Sequence, residues 1–136
     1  MNSIVTDKMW KLLELALGDL EKVEKDDRYI VYMGHWHRSR SDGKCYVCLA
    51  GSRLVGAGAA PTETICPSML DFDTVRMLET LDYLRTGHIR KAYEAFYRRY
   101  DGNVLEDRSF LPYDRDREGW WRAMGRILQE LKDLDL

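Results

Sequence analysis

No stretch of this 136-residue chain approaches the roughly 20 consecutive apolar residues that a bilayer-spanning helix needs. The opening Met1-Asn2-Ser3-Ile4-Val5 also lacks the positive start and unbroken apolar core of a secretory signal. Both absences point to a chain that stays in the cytoplasm with no membrane partner. Cysteine is scarce: there are three, an odd number, and without a secretion signal they read as reduced thiols rather than a disulfide framework. A phosphate-cradling glycine loop is missing, because no Lys-Ser or Lys-Thr follows Gly51, Gly56 or Gly58. Internal repeats and low-complexity tracts are absent as well.

Nor is there a large excess of charge of one sign. The 21 Lys and Arg residues are offset by 23 Asp and Glu, a net charge of -2, so the surface as a whole is not built to grip phosphate backbones. Nucleic acid is therefore not the expected partner; a protein or a small molecule is. The opening segment from Asp7 to Asp27 is acidic, while Arg85 to Arg126 is richer in Arg and Lys than in carboxylates.

What the chain does have is core material. It is 45% hydrophobic, with four Trp, eight Tyr and three Phe. A single domain of this length buries about two-thirds of its unfolded surface, so no metal or disulfide is needed for folding itself. Apolar residues at Met9, Leu13, Ala16, Leu17, Leu20 and Val23 recur at helical spacing over residues 7–26, with Thr6 or Asp7 as N-cap. The β-branched and aromatic run Tyr29 to Met33 predicts a short strand, and Arg38 to Lys44 an exposed loop or hairpin tip with an Asp-Gly turn.

Residues 45–57 suit either a helix or a strand followed by a glycine-rich turn, and helix is favoured; Ala50, Gly51 and Ser52 would let another backbone come close. Residues 58–73 form a connector with one helical turn around Thr62 to Cys66. A helix capped by Asp71 or Asp73 then carries Val75, Met77, Leu78, Leu81 and Leu84 and stops at Thr86-Gly87. The next helix carries Ile89, Ala92, Tyr93, Phe96, Tyr97 and Tyr100 up to Asp101-Gly102-Asn103, completing a helical hairpin. A last helix, capped by Asp114 or Asp116, has the stripe Trp120, Met124, Ile127, Leu128, Leu131 and Leu134. The expected fold is mainly α: one helical domain over residues 1–136, a bundle of about four or five helices with one short strand or small hairpin near residues 29–33.

Ligand-type side chains concentrate in one place. His35 and His37 precede the loop and Cys45 and Cys48 follow it, and imidazole with thiolate suits tetrahedral zinc. The first reading of the pairs is packing, since free Cys is among the most buried residue types. Zinc held by His35, His37, Cys45 and Cys48 is an alternative. Another is a reactive thiol at Cys45 or Cys48 with His37 as base, for which only Asp42 offers a third, orienting group. A zinc deaminase does not fit, because no Glu follows His35 at the required spacing and no Pro precedes Cys45. Cys66 has no evident partner. The aromatic set Tyr93, Phe96, Tyr97 and Tyr100 beside Arg98-Arg99 reads as core with solvated arginines rather than a nucleic-acid platform. Trp120, Trp121 and Arg122 form a candidate interface: adjacent residues cannot both face one core, so one Trp is available to a surface or a homodimer contact.

Arg28-Tyr29, Met33, Trp36-His37, Gly43 and Cys45-Tyr46-Val47-Cys48-Leu49-Ala50-Gly51 resemble small proteins of unassigned function from tailed phages and prophages. The likeness covers mainly residues 7–57, with an echo at Leu84 to Ala92, where that family also joins two helices. It brings no catalytic residue. It implies an accessory protein working inside an infected bacterium, and the expected role is a non-enzymatic module that binds a host or phage protein. The alternative is a metal- or thiol-dependent enzyme built on the His35/His37/Cys45/Cys48 cluster.

Overall fold

A computed structural model describes residues 3–98, 105–107 and 110–136. The first helical stripe forms α1 (Met9–Glu24) and turns Met9, Leu12, Leu13, Ala16, Leu17, Leu20 and Val23 inward. Its cap is not the expected one. Lys8 holds the N-cap position without a side-chain bond to the helix's own N–H groups, while Asp7 pairs with Lys11 at 3.1 Å and Thr6 donates to the Lys8 carbonyl at 2.8 Å. The Met9 N–H instead donates to the Leu136 carbonyl at 3.0 Å, so a group from the far end of the chain satisfies a donor that a local cap would have served. Asp135 holds this junction by accepting from Lys8 Nζ at 3.0 Å and Trp10 Nε1 at 3.2 Å.

Residues 29–47 contribute three short strands, β1 (Tyr29–Val31), β2 (His37–Ser39) and β3 (Cys45–Val47), in the order β1-β3-β2. β1 runs parallel to β3 and β2 antiparallel to it. The Asp-Gly signal closes the β2–β3 hairpin: Gly43 adopts φ +84°, Asp42 Oδ1 accepts from the Lys44 N–H at 3.1 Å, and the Arg40 N–H donates to the Lys44 carbonyl at 2.7 Å. The helix favoured from Cys45 onward is corrected by this sheet. Residues 45–47 are strand, and α2 (Leu49–Gly56) begins only after Cys48, its N-cap. Cys45-Tyr46-Val47 is a good strand sequence once two partners flank it, and pairing with Tyr29 and His37 supplies them.

The small residues of α2 permit the close approach expected of them. A Cβ added to Gly51 would stand 1.4 Å from the Trp36 carbonyl oxygen, so the helix rests directly on the backbone leading into β2. The connector differs from expectation. It has no helical turn at 62–66; Ile65 forms a bridge to His37, its N–H donating to the His37 carbonyl at 2.8 Å, and a single 3-10 turn falls at Pro67–Met69. Proline suits the first position of such a turn because its missing N–H would be unpaired there.

Asp71 caps α3 (Phe72–Arg85), accepting from the Thr74 N–H at 3.2 Å, and Gly87 at φ +81° lets the chain reverse into α4 (Ile89–Tyr97). The two pack as the expected helical hairpin. α4 ends at Tyr97 with Arg98 in the left-handed region, and the expected continuation to Tyr100 and closure at 101–103 lie outside the described residues. Asp116 caps α5 (Arg117–Asp133), which buries Trp120, Ala123, Met124, Ile127 and Leu131; Leu134, past the helix end, is exposed.

The result is a mainly α fold with a small sheet. One buried cluster draws on all five helices, and a smaller one under the sheet joins Val23, Tyr29, Cys45 and Val47. Among the described residues no helix is long and apolar enough to cross a membrane.

Candidate functional site

The four ligand-type side chains do not converge. The chain turns at Met33-Gly34 and bends at Trp36, so His35 and His37 do not share an extended segment and cannot point the same way. His37 faces inward from β2 and is 1% exposed, whereas His35 lies on the outer side among Tyr32, Tyr46 and Arg38. Cys45 faces inward from β3. Cys48, past the strand end and at the cap of α2, belongs to the helical core, where its Sγ accepts from the Gly51 N–H at 3.4 Å. Among the described residues no three His, Cys, Asp or Glu side chains gather as a metal ion would require. The four side chains named for the zinc alternative are thus not gathered, because the strand-to-helix transition inside Cys-x-x-Cys sends the two sulfurs apart, and the burial of Cys45 and Cys48 accords with the first reading, packing.

His37 and Cys45 do touch. The sulfur lies 3.6 Å from Nδ1 and 3.8 Å from Nε2, nearly equidistant, and so sits against the ring rather than along one nitrogen lone pair. Nδ1 is 2.8 Å from the Glu63 carbonyl, which assigns the proton to Nδ1. Burial pushes the His37 pKa down and the Cys45 pKa up, and both directions keep the pair neutral. Burial, with the nearby Asp82 adding to it, pushes Cys48 up to about 12. Neither thiol has the thiolate character of a nucleophile, and Asp42 pairs with Arg40 at 3.0 Å on the hairpin tip. Cys66 is the exposed thiol of the three. Treatment of the native protein with a maleimide near neutral pH should therefore modify Cys66 alone, with Cys45 and Cys48 reacting only in denaturant. Mass spectrometry showing rapid native modification of Cys45 or Cys48 would restore the thiol reading.

Of the three candidate interface residues, Trp120 is wholly buried and belongs to the core. It packs edge-to-face on Tyr113 and Trp121, each with ring centroids 5.3 Å away. Helical phase is the reason, since Trp120 starts the buried stripe that continues through Met124 and Ile127. Trp121 is half-buried and Arg122 exposed, and together with Glu21, Glu24, Arg117 and Glu118 they line a cleft of about 400 Å³ between α1 and α5.

Glu24 organises this cleft, although nothing in the sequence analysis singled it out. Its carboxylate accepts from Tyr113 Oη at 2.5 Å, from Arg117 Nε at 2.7 Å and Nη2 at 2.8 Å, and from Trp121 Nε1 at 3.2 Å. Burial would raise its pKa, but the donors from Arg117, Tyr113 and Trp121 outweigh this and hold it below the usual glutamate value. The one available signal was its position. A carboxylate in the last turn of a helix opposes the helix dipole and needs cations from elsewhere.

Elsewhere the aromatic set of α4 is core as expected, with Tyr93 and Phe96 buried; Arg98 is exposed and stacks on Phe72 at 4.2 Å, and Arg99 and Tyr100 lie outside the described residues. A second cleft of about 510 Å³ runs between residues 34–38 and 64–67. The chain matches no protein-family model, no curated protein and no solved structure.

Proposed function

We propose that this chain is a phage- or prophage-type accessory protein that acts by docking on a host or phage protein, without chemistry of its own, through the cleft around Trp121 and Arg122. The likeness of residues 7–57 to small phage proteins supports the setting. The observation that carries the docking surface is the Glu24 network. It fixes the indole of Trp121 at the wall of an open cleft beside the exposed Arg122. Trp and Arg are the residue types most often found at binding hot spots, and a side chain already held in place loses less entropy on binding. Carboxylates of Glu21 and Glu118 on the same rim favour a partner that brings an apolar anchor flanked by at least one cation.

Arg122→Glu tests the reading, because an exposed side chain can change with little effect on stability, within about 0.5 kcal/mol. The variant should lose capture of the bacterial or phage protein that the wild-type chain retains. If the occupant is a second copy, light scattering should show a dimer mass falling to that of the monomer. Unchanged capture and unchanged mass would reject the cleft as the docking surface.

A further inference from the structure

The pleat of the three-stranded sheet separates two chemistries. Tyr29, Cys45, Val47 and His37 point toward α1 and α2, while the rung Ile30–Tyr46–Arg38 points the other way and is half-buried to exposed. On that outer face three rings cluster: Tyr32 lies 5.2 Å from Tyr46 and 5.4 Å from His35, and His35 lies 5.9 Å from Tyr46. Tyr32 is 44% exposed, a large value for an aromatic side chain outside a core. The Arg40 guanidinium stands 4.8 Å over the Tyr46 ring, and Arg38 Nη1 reaches to 3.4 Å from His35 Nε2. From residue 35 to residue 46 the chain carries three permanent cations, Arg38, Arg40 and Lys44, against the single carboxylate of Asp42, which pairs with Arg40 at 3.0 Å and leaves Arg38 and Lys44 in excess.

We infer that this outer sheet face, Tyr32, His35 and Tyr46 with Arg38 and Lys44, binds single-stranded nucleic acid, the rings stacking bases and the two cations meeting phosphates. The net charge of -2 for the whole chain does not oppose this. Charges beyond a Debye length of about 8 Å are screened at physiological salt, so the local excess of positive charge is what a phosphate meets. Rings interleaved with cations on an open surface suit unpaired bases, whose faces can stack without regard to sequence, whereas an acidic peptide would use the cations and leave the rings idle. A duplex keeps its bases stacked internally and is engaged through charge alone. This surface is separate from the Trp121–Arg122 cleft, so a protein partner and a nucleic acid could be held together.

Fluorescence anisotropy with a labelled 15-nucleotide oligothymidylate tests the proposal. Sequence-independent binding of this kind has a Kd of about 1–100 μM at physiological salt. With Arg38 and Lys44 meeting phosphates, the slope of log K against log salt should be about -1.4, since each contributes about 0.7. Tyr46→Leu and Tyr32→Ala should each weaken binding about tenfold, within the range for loss of one stacked base. Tyr46→Phe, which keeps the ring, should retain it and so separates stacking from any effect of Tyr46→Leu on folding. Arg38→Ala should flatten the salt slope by about 0.7. A duplex of the same sequence and an oligoglutamate peptide of similar charge should both bind more weakly than the single strand. No binding at about 200 μM protein, equal binding of the oligoglutamate, or full retention of binding by both Tyr32→Ala and Tyr46→Leu would overturn the assignment.

Discussion

Replacing Gly51 by alanine should lower the unfolding free energy by about 3 kcal/mol or more, read from the midpoint of urea denaturation. Tight packing usually makes an added methyl cost about 1–3 kcal/mol, and the upper end applies where backbone rather than a flexible side chain stands in the way. Here the new Cβ would fall 1.4 Å from the Trp36 carbonyl oxygen, with Val47 Cβ at 3.2 Å on the other side. To make room, α2 must move off the chain entering β2. That movement breaks the bond from the Cys48 N–H to the Trp36 carbonyl, 3.4 Å, and disturbs the indole that donates to Asp82 at 2.9 Å. Gly18 in α1 and Gly125 in α5 provide the opposite control, because a Cβ at either meets nothing within 4 Å. Alanine at those helical positions should stabilise the protein by roughly 0.5–1 kcal/mol. A mild loss at Gly51 would mean that α2 does not rest on Trp36.

Arg53→Ala should cost about 3–5 kcal/mol at neutral pH, as expected when one partner of a buried ion pair is removed and the other is stranded. Arg53 Nη1 lies 2.5 Å from Asp19 Oδ2 across the α1–α2 seam, with side chains 7% and 12% exposed. Gly56 leaves the space for this carboxylate, since a Cβ there would come within 2.3 Å of Asp19 Oδ1. Burial raises the Asp19 pKa above its ordinary value of 3.8 even with Arg53 and Lys22 pulling it down. The folded state therefore holds more protons than the unfolded chain between those two pKa values, and stability falls as pH rises through that window. Without Arg53 the folded pKa climbs further and the window widens. The deficit of the variant should thus be largest near pH 7 and shrink as the pH falls toward the ordinary carboxyl value of 3.8, because the raised folded pKa lets the folded state take up the proton first. Adding Asp19→Asn to Arg53→Ala should recover much of the loss at pH 7. An equal deficit at both ends of this range would show that Asp19 is solvated.

The parts of the fold that could be read from the sequence are those whose signal is local. Stripes such as Leu13, Leu17 and Leu20, or Trp120, Met124 and Ile127, fix a helix and its inner face from spacing alone, and each of these residues is buried. Asp71 and Asp116, each one of two candidate caps, were legible for the same reason, and so was the Asp42-Gly43 turn as a loop or hairpin tip. What escaped depends on residues distant in sequence. The strand at 45–47 exists because Tyr29 and His37 flank it, and α1 is capped by a carbonyl 127 residues beyond its first turn at Met9. Glu24 is 97 residues from the indole it holds. The Cys-x-x-Cys spacing left packing and zinc both open for a related reason: it brings two sulfurs together only within one type of backbone, and here Cys45 lies in a strand while Cys48 caps a helix.

One comparison separates docking through the α1–α5 cleft from chemistry at the His37–Cys45 contact most directly. It is partner capture by two variants side by side: Arg122→Glu, which alters only the cleft rim, and Cys45→Ala, which removes the sulfur but keeps a small apolar side chain. Capture lost in Arg122→Glu and retained in Cys45→Ala is the expected result. Capture retained in Arg122→Glu and lost in Cys45→Ala, with both variants folded, would contradict it.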